Sequence, residues 1–120
     1  MTDIKPLNKE RVDTIKNGVI RDSFLGYEDH NIFTVTVTVE TSDGVQSTPP
    51  FSGFAERIIV GILKVSGAKE WRDVLRKPVR LAYRGTSIVA IGHFIEDKWF
   101  NFDDLDDEAY EEKKKGTVTT

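Results

Sequence analysis

Arg57, the Tyr83-Arg84 pair and His93 are the side chains here best suited to a planar, charged ligand. Arg57 falls in the first turns of a helical stretch, where unpaired N–H groups and the positive end of the helix favour phosphate. It fits equally an exposed arginine paired with Glu56 or Asp43. Tyr83-Arg84, at a turn of a sheet, offers a ring to stack on a base and a guanidinium to hold a phosphate. The same pair reads as the amphipathic surface of an edge strand. His93 follows Gly92, which admits close approach of a ligand or another backbone. It is either a ligand-facing donor at a strand end or a half-buried strand histidine bonded to a backbone carbonyl. Gln46, in a loop of turn residues, can donate or accept a hydrogen bond. Trp99 and Phe100 read as core.

Catalytic patterns are missing from the sequence. No Ser-His-Asp elbow, Gly-rich phosphate loop or HExxH spacing occurs. There is no cysteine, which excludes thiol catalysis, disulfides and thiolate metal sites. The runs of carboxylates lie in the C-terminal tail, where they read as a solvated surface. The expectation is therefore a protein that is not an enzyme, with no catalytic residue, no metal ligand and no cofactor.

The elements that must position these residues follow from periodicity. Val19 to Tyr27 reads as a strand, and Glu28-Asp29-His30-Asn31 as a turn built from residues that bond their own backbone. Phe33, Val35, Val37 and Val39 alternate with Thr34, Thr36, Thr38 and Glu40, the signature of a half-buried strand. Val45 to Pro50 reads as a loop, with a helix starting after the two prolines near Ser52 or Gly53. Phe54, Ile58, Ile59, Ile62, Leu63 and Val65 follow helical spacing, and Ser66-Gly67 is a strong stop. A shorter helical piece spans Lys69 to Leu75. Strands follow at Val79 to Tyr83 and Ser87 to Ile95, with a short one near Lys98 to Phe102. In the second of these, His93 alternates onto the face of Val89, Ile91 and Ile95.

The sum is an α+β fold: an antiparallel sheet in the order β-β-α-α-β-β, with one long and one short helix packed on one face. A polar lead-in (1–15) precedes the single domain (16–102), and an acidic tail (103–120), partly helical or disordered, follows it. At 120 residues the chain is long enough for one core without staples.

Charge is unevenly distributed. The net charge is -3, yet residues 101–120 carry seven acidic side chains against three lysines. The stretch 69–84 carries six basic and two acidic residues. A basic face and an acidic tail suit a phosphate-bearing ligand, or a tail folding over the body or a neighbouring subunit. Nucleic acid ranks below a small ligand, because no helix carries a dense basic face with base-reading Asn or Gln. No apolar run has transmembrane length and the N-terminus lacks a signal-peptide core, so no membrane partner and a cytoplasmic location are the expectations.

One resemblance adds to this reading. Ser66-Gly67, Trp71, Val74-Leu75, Lys77-Pro78-Val79-Arg80, Ile88 to Phe94 and Asp97 to Phe100 form a pattern similar to small phage and prophage proteins. Glu28-Asp29-His30 before Phe33 to Val39 fits as well. Within that group the chain resembles the Thoeris anti-defence proteins of the first type, over roughly residues 15 to 102. These are viral sponges that take up a cyclic ADP-ribose isomer made by bacterial TIR-domain immunity proteins. The resemblance implies non-enzymatic capture of a cyclic nucleotide between protomers of a homo-oligomer, a dimer or hexamer. It carries Arg57, Tyr83 and His93 over as ligand contacts, and Glu28 beside them. The loop GVQSTPPFSG departs from the Gly-rich loop of such relatives, keeping only Gly44, Gln46 and Gly53 of its character. Two rival readings are a phage protein that inhibits a host defence enzyme by direct contact, and a hydrolase of a signalling nucleotide.

Overall fold

The computed structural model describes residues 3–119, and side chains as far as Glu111. Residues 1, 2 and 120, at the ends of the lead-in and the tail, lie outside the described residues. The class is α+β and the sheet is antiparallel, as expected. The sheet has seven strands in the order β1-β7-β6-β5-β2-β3-β4. They are β1 (Ile4–Lys5), β2 (Thr14–Tyr27), β3 (Phe33–Thr41), β4 (Gly44–Ser47), β5 (Pro78–Arg84), β6 (Ser87–His93) and β7 (Trp99–Asn101). Helix α1 (Ala55–Ser66) follows β4, and helix α2 (Phe102–Thr119) follows β7.

The departures from expectation are instructive. The lead-in is part of the fold: Ile4–Lys5 pairs with Trp99 and Phe100 of β7, and Leu7 is buried. β2 starts five residues before the expected Val19, because its first half pairs with β5 and its second half with β3. The expected loop after Gly44 instead contributes β4, zipped to Thr38–Thr41. The expected short helix is a single 3-10 turn, Trp71–Val74. The second α-helix is the acidic tail. Helix α1 ends where expected, at Gly67 in the left-handed region, whose N–H bonds the Leu63 carbonyl.

Two apolar clusters lie on opposite faces of the sheet. The larger joins Ile58, Ile62 and Val65 of α1 and Phe102 and Leu105 of α2 to Val35, Val37, Val39, Leu81, Ile91 and Phe100. The smaller joins Ala82, Val89, Ala90 and Trp99 to Leu7 and Val12 of the N-terminal segment. A bulge in the β5–β6 ladder, where pairing passes from Ala82↔Ala90 to Tyr83↔Ile88, leaves Val89 as the extra residue. This corrects the simple alternation. Val89 joins the second cluster with Ala90, while Ile91 stays in the first.

Candidate functional site

Helix α2 is where most of the charge chemistry gathers. Leu105 is buried in the core, so the residues on either side of it flank the helix in pairs four apart. Asp104 meets Lys5 (2.7 Å), and Glu108, one turn on, accepts from Arg57 Nη1. On the other flank Asp103 meets Arg84 (3.2 Å) and Arg11 (3.7 Å), and Asp107 meets Arg11 (3.5 Å). The acidic tail thus folds over the basic body, with Lys5, Arg11, Arg57 and Arg84 straddling it. Carboxylates in the first turn also suit the helix dipole.

Arg57 is in the first turn of α1, as the sequence implied, but its partners come from far along the chain. Its Nε and Nη2 donate to Asp3 Oδ2 (3.0 Å) and Oδ1 (2.8 Å), a two-pronged clamp on the N-terminal segment. The expected partners Glu56 and Asp43 are not its partners; Asp43 instead pairs with Lys16. Asp3 and Glu108 push the guanidinium pKa up, and Arg57 in turn holds the Asp3 carboxyl below the ordinary carboxylate range. Arg57 stands at a cleft of about 240 Å³ lined by Asp3, Ile4, Glu56, Val60, Gly61 and Lys64.

The depressed Asp3 pKa sets a sign for acid sensitivity. The folded protein holds the Asp3 proton less tightly than the unfolded chain does. The clamp therefore contributes fully above the unfolded pKa, near about pH 4, and is lost as pH falls through the lower folded value. Asp3→Asn is expected to cost about 1 kcal/mol at pH 7, and the difference is expected to shrink as the pH falls below about 4. Thermal melts of the two proteins across that range check it; a gap that persists in acid would contradict the assignment.

The remaining candidates do not converge within one chain. Tyr83 is 5% exposed and belongs to the larger cluster, with Lys16 Nζ 5.1 Å from its ring centre. Burial raises its pKa. Its ring is thus core, unavailable for stacking on a base at the surface. His93 lies at the opposite end of the β5–β6 hairpin, opposite Val79. Tyr83 and Val79 are four steps apart along β5, about 13 Å. His93 Nδ1 accepts from the N–H groups of Ile95 (3.0 Å) and Glu96 (2.9 Å), so it caps its own turn with the ring proton on Nε2. A backbone carbonyl partner for that ring was the expectation; two backbone donors take its place. Gln46 Nε2 donates to the Thr86 carbonyl (3.1 Å), which brings the β4 edge to the turn beside Arg84. The sheet curls enough to join the two hairpins there.

Glu28 belongs to a second place altogether, the tip of the β2–β3 hairpin. Its Oε1 accepts from the N–H groups of His30 (2.6 Å) and Ile32 (3.2 Å), and its Oε2 lies 3.1 Å from His30 Nδ1. The His30 contact, ahead of the backbone donors, keeps its pKa low. A cleft of about 370 Å³ opens here, lined by Phe24, Tyr27, Glu28, Asp29, His30, Thr34, Thr36 and Pro50. Apart from Glu28, none of these residues was singled out from the sequence as a ligand contact. The available signal was an acidic turn between two strands whose ends, Tyr27 and Phe33, are aromatic and directly paired.

No protein-family model, curated protein or solved structure matches the chain. Among the described residues, no helix is long and apolar enough to cross a membrane.

Proposed function

We propose that this protein is a non-enzymatic binder that sequesters a cyclic nucleotide, a cyclic ADP-ribose isomer, as a phage counter-defence protein acting in the host cytoplasm. The observation that carries this reading is the row of cations around α2. Lys5, Arg11, Arg57 and Arg84 each hold a carboxylate of the tail. A set that binds its own oxyanions is equipped to bind phosphate oxyanions, which share their geometry and charge. Among the described residues, Arg57 directs three of its five N–H donors at Asp3 and Glu108. The cleft at its side suits one ribose-phosphate unit. The resemblance supports the reading independently, through Arg57. A homo-oligomer fits it too, since a second protomer would close the open side of that cleft.

The test is to incubate the purified protein with the nucleotide, remove the protein-bound fraction, and heat it. A sponge depletes the free nucleotide and returns it intact on denaturation. Recovery of a cleaved product would make the protein a hydrolase, and undiminished free nucleotide would reject capture.

A second reading has an observation of its own. The outer part of the β2–β3 hairpin exposes Phe24, Leu25, Tyr27, Ile32 and Phe33, each more than 40% accessible. Such a patch favours inhibition of a host defence enzyme by direct protein contact.

A further inference from the structure

The hairpin-tip cleft has a polarity opposite to that of the cation row. β5 reaches β2 only through Val19, and β4 reaches β3 only from Thr38. Past Ile20 and Val37, which still bond Arg76, Lys77 and Thr48, the two strands extend as an arm that carries the cleft. Phe24, Tyr27 and Pro50 form its apolar walls. Tyr27 is braced edge-on by Phe33, with ring centres 5.3 Å apart. Glu28 and Asp29 bring two carboxylates to the lining, and no lysine or arginine is part of it. Glu28 is kept ionised by its His30 contact and by two backbone donors.

The decisive group is Thr34. It lines the cleft, is only 4% exposed, and its Oγ1 has no hydrogen-bond partner. A buried hydroxyl without a partner is costly, and native proteins rarely leave one so. The hydroxyl is closed to water in the free protein, so a ligand donor satisfies it only by parting the side chains that cover it. We propose that this cleft binds a small organic cation bearing a primary alkylammonium group. The aromatic faces attract the cation, the carboxylates neutralise it, and the Thr34 hydroxyl accepts one of its N–H bonds. The same two carboxylates repel phosphate, so this site is separate from the nucleotide reading and does not depend on it. Either a free diamine or a lysine side chain presented by a peptide supplies that chemistry.

The experiment is calorimetric titration of the full chain with cadaverine, with a capped lysine amide, and with 1-pentanol as the uncharged control. Saturable binding of one or both cations, without binding of 1-pentanol, is expected. Tighter binding of cadaverine identifies a free amine as the ligand; equal or tighter binding of capped lysine identifies a lysine-bearing segment. Asp29→Asn and Tyr27→Ala, which leave the Glu28-centred turn in place, are each expected to weaken binding about tenfold. Thr34→Val keeps the shape and is expected to weaken binding by a similar factor while raising the melting temperature of the free protein. Absence of saturable binding by either cation overturns the proposal. So does binding that these three variants leave unchanged; if neutralising Asp103, Asp104, Asp107 and Glu108 then abolishes it, the amine sits on α2.

Discussion

Gly61→Ala is expected to destabilise the protein by about 2 kcal/mol, even though alanine is the better helix former. Propensity alone would favour alanine by up to about 1 kcal/mol. Against this, a Cβ at position 61 would sit 2.3 Å from Phe100 Cδ1, 2.7 Å from Cγ and 2.8 Å from Cε1. It meets the ring broadside, and Phe100 is 1% exposed with Phe102 packed edge-on behind it. The ring has nowhere to slide, so α1 must lift from the sheet. Overpacking of this kind costs about 1–3 kcal/mol before any loss of neighbouring contacts. The same argument holds on the other face. A Cβ on Gly92 would lie 2.4 Å from Trp99 Cδ2, beneath a ring that also carries the Arg80 guanidinium at 4.9 Å. Urea denaturation of both variants measures this; a midpoint equal to or above that of the parent would show that the α1–β7 contact (Gly61) or the β6–β7 contact (Gly92) is looser than its geometry states. Because Arg57 rides on α1, loss of helix seating is also expected to disturb the cleft.

If the proposed capture of a cyclic nucleotide holds, Arg57→Ala is expected to weaken it about a hundredfold, the loss of a charged, two-pronged contact worth about 3 kcal/mol. The structure adds a consequence invisible in the sequence. Arg57 ties Asp3 and, through Glu108, helix α2 to α1, so its removal also frees the N-terminal strand and the tail. A modest fall in stability, about 1 kcal/mol, accompanies the change, and the protein stays folded. Arg57→Lys separates the two effects, since it keeps the charge but loses the fork, and is expected to fall between. Glu108→Gln moves affinity the other way. It removes a competing carboxylate without touching the guanidinium, so binding is expected to strengthen. Calorimetry with the cyclic ADP-ribose isomer settles both points. Unchanged affinity in Arg57→Ala removes Arg57 from the site, and unchanged affinity in Glu108→Gln removes the tail as a competitor.

Local order was readable in this chain because it depends on neighbours a few residues away. The Val-Thr alternation of β3, the α1 stripe ending at Gly67, the Glu28–Asn31 turn and the antiparallel hairpins all follow from side-chain period and turn chemistry. What required the fold was everything set by distant pairing. The β5–β6 bulge moves Val89 to the other face without any sign in the local pattern. Tyr83 reads as an amphipathic edge residue, yet β5 is interior to the sheet, between β6 and β2, and the ring is buried. Arg57, Arg84, Lys5 and Arg11 meet only because α2 docks between them, from as far as 99 residues away in the case of Lys5 and Asp104. Charges and rings recognise partners through space. A linear reading can identify which residues are capable of such contacts, while chain crossings and long-range packing choose which of them meet.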